Sequence, residues 1–211
     1  MELRGLYPIV DVSTLERRGL PVLVFAERVL AARPPLVQLR AKDSNARDTL
    51  ALLRALAPLC ARSGALLFAN DRPDLALLAE APGVHVGQHD LPLAEVRRFA
   101  PALKVGVSTH TLAELDEALA GRPDYVAFGP VFATPSKVAH EPPVGIDGLA
   151  LAHERARRAG VPLVAIGGLE LERASQVAAH CEAAAVIGAL LPEQGGLEGV
   201  TERAVALSAA L

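Results

Sequence analysis

The segment 69–92, ANDRPDLALLAEAPGVHVGQHDLP, sets two acids, Asp71 and Asp90, beside two amides, Asn70 and Gln88, at the ends of short apolar runs. Upstream, Gln38, Arg40 and Lys42 alternate along 38–42. Period two puts them on one side if the chain stays extended there. These types are scarce: 18 of the 21 cationic residues are Arg, Lys stands only at 42, 104 and 137, and there are two Asn and four Gln. An ammonium suits close contact with an anionic oxygen, and a guanidinium forks onto two oxygens at once. The expected chemistry is therefore binding of a phosphorylated small molecule. Carboxylates near a phosphate chain call for a hard divalent ion, and Mg2+ typically takes one or two of them with phosphate oxygens and water. Asp71 and Asp90 are its expected ligands. The competing reading makes each acid a helix N-cap, a position that Asp favours.

The elements that must position these residues alternate. Short apolar runs at 6–10, 36–39, 66–69, 84–86, 103–107, 125–128, 162–167 and 183–188 read as strands. Between them lie amphipathic stretches such as 46–62, 111–120 and 171–180, with a final helix near 198–210. Eight nearly continuous apolar strands separated by helices predict a parallel sheet covered by helices. At this length the expected solution is a single-domain (β/α)8 barrel, a TIM barrel spanning 1–211. An open doubly wound sheet would carry a glycine-rich dinucleotide turn, and no GxGxxG follows residues 10 or 39. In a barrel the active site collects at the C-terminal strand ends, where the polar residues fall: 38–42, Asn70–Asp71, Gln88–Asp90, Ser108 and Thr134–Lys137. A second anion position is expected where Gly167–Gly168 and Ile187–Gly188 follow the last two strands. The segment 129–145, rich in Pro, is too long for a plain connector and reads as a binding loop or lid.

Composition excludes other classes. A net charge of -3 and 3% aromatic residues with no Trp leave neither a basic footprint nor a stacking platform for nucleic acid. No apolar run approaches the roughly 20 residues of a membrane span, and a cytoplasmic enzyme is expected. A homodimer stays open. Cys60 and Cys181 lack CxxC spacing and read as small buried hydrophobes. His85 and His89 are four apart, but in a strand and its turn with no third ligand near, which argues against zinc. His85 reads as a structural residue under the site and His89 as exposed. His110 and His140 have no carboxylate partner in sequence for acid–base work. Tyr7 and Tyr125 read as core residues with a hydroxyl partner.

Over nearly its whole length the chain resembles the thiamine phosphate synthase family. The resemblance rests on YPIVD, QLRAK (38–42), NDRPDLAL (70–77), GVHVGQHDLP (83–92), VGVSTHTLAEL (105–115), DYVAFGPVFATPSK (124–137), PLVAIGGL (162–169) and AAVIGAL (184–190). It implies a (β/α)8 fold and the Mg2+-dependent joining of hydroxymethylpyrimidine diphosphate to a thiazole phosphate, with release of pyrophosphate. By the same resemblance Gln38, Arg40, Lys42, Asn70, Ser108 and Lys137 hold the pyrimidine diphosphate. Arg40, Lys42, Ser108 and Lys137 are then the catalytic set, and Leu39 and Ala41 belong to the same binding segment. Asp71 and Asp90 bind Mg2+. Thr134, Pro135 and Ser136 meet the thiazole substrate, whose phosphate rests near Gly168, Ile187 and Gly188. Departures from the family pattern are Val10, His89, Ala133, Ser136 and Gly188. Ser136 keeps a hydroxyl and Gly188 keeps its backbone N–H. A related thiazole tautomerase has degraded acidic elements and a His in the loop after strand six, where this chain has Pro130, so the resemblance favours the synthase. A sugar-phosphate epimerase would need a base pair that His85 does not supply, and a sensor of thiamine phosphate would bind product without turnover.

Overall fold

The computed structural model describes residues 3–134, 142–191 and 196–211. Eight parallel strands close into a barrel in sequence order: β1 (Gly5–Asp11), β2 (Leu36–Arg40), β3 (Leu66–Asn70), β4 (Gly83–Val86), β5 (Lys104–Thr109), β6 (Tyr125–Phe128), β7 (Leu163–Ile166) and β8 (Ala183–Val186). Closure is made by β1 pairing with β8, with Tyr7 opposite Ala185. The helices around it are α1 (Val12–Arg17), α2 (Val22–Leu30), α3 (Ala46–Ser63), α4 (Pro73–Leu78), α5 (Leu93–Phe99), α6 (Leu112–Ala120), α7 (Gly145–Ala159), α8 (Leu171–Ala178) and α9 (Val200–Ala210). The eight-strand expectation holds, with ends that shift: β1 runs one residue further at each end, and β8 stops at Val186 where a 3-10 turn, Gly188–Leu190, begins.

Two apolar layers hold the barrel. The larger, between strands and helices, takes the outward strand residues, among them Val37, Leu39, Val84, Val105 and Val126, against helix residues such as Leu53, Leu56 and Val96. The smaller, inside the barrel, takes the alternate residues Tyr7, Ile9, Leu36, Phe68, Tyr125 and Val164. Both faces of each strand are thus buried, which explains the nearly continuous apolar runs. Inside, large rings face residues without side chains. A Cβ on Gly83 would lie 2.4 Å from the Phe68 ring and one on Gly106 2.0 Å from Tyr125 Cζ. Small and large residues therefore interdigitate across the barrel axis.

Several helices begin on side-chain caps. Asp11, Asn45 and Thr111 accept from the N–H groups of Thr14, Asp48 and Glu114 and so open α1, α3 and α6. The N-cap positions of α4 and α5 are Arg72 and Pro92, neither with a side-chain cap bond. The cap reading of Asp71 and Asp90 is thereby overturned: each stands before its cap position, and its carboxyl is engaged elsewhere.

Candidate active site at the C-terminal rim

The polar residues expected at strand ends do gather on the rim over β1 to β5, with partners that alternation alone does not predict. Gln38, Arg40 and Lys42 do not face one point. Gln38 is 2% exposed and its amide Nε2 donates to Tyr7 Oη inside the barrel at 2.6 Å. Arg40 Nη1 donates to Asp11 Oδ2, pairing the ends of β2 and β1. Lys42, two residues past the strand, lies 3.2 Å from Asp71 Oδ2 at the end of β3. Strand stagger and the turn after Arg40 separate side chains that a flat strand would align.

Asp71 has φ +63, a left-handed conformation, and its N–H donates to His85 O at 2.8 Å, so the backbone turns sharply out of β3. That turn aims its carboxyl at both Lys42 and Asp90. Asp90 Oδ2 accepts from Gly87 N at 2.7 Å and closes the turn after β4. The Asp71 carboxyl is raised above its ordinary value, first by burial and then by the neighbouring Asp90, with Lys42 opposing. Among the described residues no three His, Cys, Asp or Glu gather as a metal site. Two facing acids nevertheless fit Mg2+, which needs only one or two carboxylates and completes its shell with phosphate oxygens and water. A cavity of about 200 Å³ adjoins Asp71, lined also by Ala41, Lys42, Ser44, Thr49, Asn70 and Arg72.

The β4 and β5 ends are tied together: Gln88 Nε2 donates to Ser108 O at 2.6 Å, and the Ser108 hydroxyl lies 2.7 Å from His85 Nε2. His85 is buried, as a structural residue under the site should be, and His89 is exposed. The His110 ring Nδ1 lies 2.6 Å from Gly129 O. Cys60 is buried, whereas Cys181 is only partly so and its thiol donates to Val177 O.

The β6 loop is pinned at both ends. Val131 N–H and Phe132 N–H donate to Ile166 O and Gly167 O, while Val144 and Gly145 N–H groups return to Pro130 O and Val131 O. This packing dictates the glycine pair after β7: Gly167 and Gly168 have φ +98 and +65, and a Cβ on Gly168 would lie 2.5 Å from Ala133 O. Thr134 and the 167–168 turn are thus brought to one side of the rim. Ile187 and Gly188 follow β8, the hydrogen-bonded neighbour of β7, and a Cβ on Gly188 would meet nothing within 4 Å. The Arg173 guanidinium covers the Phe132 ring at 4.7 Å. Of the remaining expected site residues, Leu39 points into the outer layer, away from the rim. Pro135, Ser136, Lys137 and His140 lie outside the described residues, as does the middle of the expected loop.

Asp11 is the residue that the sequence reading passed over, although it ends β1 as Asn70 ends β3. Burial would raise its carboxyl, but hydrogen bonds from Thr14 and Arg40 outweigh burial and hold it below the usual range.

The sequence matches a known family. The family model for thiamine monophosphate synthase matches residues 6–190. The chain belongs to this family. It is 44% identical over 167 residues to a thiamine-phosphate synthase of Synechococcus sp. (strain CC9311), covering 78% of this chain and 46% of that one. Against a thiamine-phosphate synthase of Roseiflexus sp. (strain RS-1) it is 41% identical over 187 residues, covering 88% of this chain and 77% of the relative. The chain thus spans about half the length of the Synechococcus relative and most of the other. A solved thiamine phosphate pyrophosphorylase from Pyrococcus furiosus superposes with a TM-score of 0.85 at 30% identity, over 99% of this chain and 95% of that one. The solved relative thus shares this barrel over nearly the whole chain.

Proposed function

We propose that the chain is a thiamine phosphate synthase that joins 4-amino-2-methyl-5-hydroxymethylpyrimidine diphosphate to a thiazole phosphate, carboxythiazole or hydroxyethylthiazole, and releases pyrophosphate. The observation that carries this reading is the convergence of Lys42 and Asp71 on a rim cavity, with Asp90 beside Asp71, in a chain of this family. A metal-free tautomerase would have no use for two acids held so close.

In the proposed reaction the bond between the pyrimidine methylene carbon and the diphosphate oxygen breaks. Its electron pair leaves with pyrophosphate, and the aminopyrimidine stabilises the methylene cation. The thiazole nitrogen then supplies the pair for the new C–N bond, so no strong protein base is needed. Arg40 and Lys42, with Asn70, Ser108 and Lys137, hold the diphosphate and stabilise charge on the leaving group; Thr134 and Ser136 hold the thiazole ring, with its phosphate near Gly168, Ile187 and Gly188. Mg2+ held by Asp71 and Asp90 would add Lewis-acid stabilisation of the departing pyrophosphate. Arg40 reaches this role from its pair with Asp11, which fixes its head group at the rim.

The test is pyrophosphate release with both substrates, with and without Mg2+. Release that needs both substrates and the metal is expected. Asp71→Ala and Asp90→Ala should each slow it by about 10^2- to 10^3-fold with unchanged circular dichroism. Wild-type turnover in either variant would sink the metal assignment, and isomerisation of the thiazole phosphate alone would point to a tautomerase.

A further inference from the structure

Between Gln38 and Ser108, both expected from the family resemblance to hold the pyrimidine diphosphate, runs a buried chain of polar groups to which the proposed site gives no task. Gln38 Nε2 donates to Tyr7 Oη at 2.6 Å, and the Tyr7 and Tyr125 hydroxyls lie 2.8 Å apart. Tyr125 Oη lies 2.8 Å from His85 Nδ1, and His85 Nε2 2.7 Å from Ser108 Oγ. All five side chains are buried, and they come from β2, β1, β6, β4 and β5, so the chain crosses the barrel interior. The barrel makes room for it: Gly106 leaves space for the Tyr125 ring, and the His85 ring stacks on Tyr125 with centroids 5.6 Å apart.

Each phenol has one proton and a neutral imidazole has one. With Gln38 donating in, Tyr7 passes its proton to Tyr125, Tyr125 to His85 Nδ1, and His85 Nε2–H to Ser108 Oγ. The Ser108 proton is then left to point outward. Reversing any bond reverses all of them, with the Gln38 carbonyl turned to Tyr7 and the Ser108 proton turned inward to the imidazole. A cationic His85 would donate from both nitrogens, turning Tyr125, Tyr7 and the Gln38 amide around while leaving the Ser108 proton outward, and so would uncouple the two ends. With a neutral His85 the array therefore has two fully paired states, and its two ends must switch together.

We infer that Tyr7, Tyr125 and His85 are positioning residues that lock the Gln38 amide and the Ser108 hydroxyl as a coupled pair: Ser108 as a donor to an anionic oxygen, and Gln38 with its carbonyl oxygen turned away from the tyrosines as an acceptor for an N–H such as an exocyclic amine. The inference deepens the proposed function and rests on it for the identity of the ligand. A hydroxyl whose oxygen already accepts from an imidazole is the stronger donor, which suits a diphosphate.

The test begins with the 15N spectrum of the labelled wild-type protein, in which His85 is assigned by comparison with His85→Gln. Neutral His85 carrying its proton on Nε2 is expected. A proton on Nδ1, or a mixture of both forms, overturns the inference. This measurement needs no turnover, so it stands apart from whether pyrophosphate is released. Tyr7→Phe and Tyr125→Phe then remove one hydroxyl each. The expected result in both is an about tenfold higher KM for the pyrimidine diphosphate with an unchanged KM for the thiazole phosphate, together with mixed His85 tautomers in Tyr125→Phe. Folded variants that keep the wild-type KM for the pyrimidine diphosphate overturn the positioning role. If Tyr125→Phe does not fold, Tyr7→Phe and the wild-type tautomer decide.

Discussion

Asp11 and Arg40 show how a charge at the rim is held. The Asp11 carboxyl is almost sealed from solvent, capping α1 through Thr14 and pairing with Arg40 from the neighbouring strand. Its lowered pKa means the folded state favours the ionised form, so this stabilisation is complete well above the ordinary carboxylate range near pH 4. It declines as pH falls through that range toward the lowered value. Asp11→Asn should flatten the acid limb of stability measured by urea unfolding between about pH 3 and 7. Arg40→Met, which leaves the acid unpaired, should cost about 1.5–3 kcal/mol at pH 7. An acid limb unchanged in Asp11→Asn would remove Asp11 from the account. At the same scale, scarcity pointed to Lys42 and the amides, but their partners depended on atoms from other strands. Nothing within 38–42 says that Gln38 turns inward to a tyrosine 31 residues away.

At the scale of elements, glycines mark where strands and loops approach too closely for a side chain, and where they do not. Gly106 faces the Tyr125 ring, with an added Cβ 2.0 Å from Cζ, whereas Gly188 opens onto empty space. Gly106→Ala should therefore lower stability by about 1–3 kcal/mol through overpacking, and Gly188→Ser should leave it nearly unchanged. Thermal unfolding followed by circular dichroism separates the two, and equal losses would contradict the packing described. The alternation of apolar runs and helical periods made all eight strands legible, because a parallel strand buried on both faces is apolar at nearly every position. Strand ends were less legible. The competing cap reading of Asp71 and Asp90 could not be dismissed from sequence, because an acid before a helix looks alike whether it bonds the helix N–H groups or turns toward another strand. Only the left-handed turn at Asp71 decides between them.

For the whole molecule, binding at the rim is expected to feed back on stability, since a ligand that meets only the folded barrel stabilises it by mass action. Pyrophosphate with Mg2+ at 100 times its dissociation constant should add about 2.7 kcal/mol. For a chain of this size that corresponds to a rise in Tm of roughly 5–11 °C. Calorimetric scans with pyrophosphate, with Mg2+ and with both test this. The full shift should need both together, and an equal shift with pyrophosphate alone would argue against the acid pair as metal ligands. No helix among the described residues is long and apolar enough to cross a membrane, in line with the hydropathy of the sequence.

By itself the sequence determined the strand count, the helical cover, the residues at the strand ends and the family. These follow from period, scarcity and ordered motifs, all properties of neighbours along the chain. Tertiary structure alone decided that Arg40 meets Asp11, that Lys42 meets Asp71, that the two acids face each other, and that Gln38 and Ser108 are joined through Tyr7, Tyr125 and His85. Closing the barrel staggers its strands and brings together side chains as much as 118 residues apart, such as the two tyrosines, at distances that no local pattern encodes.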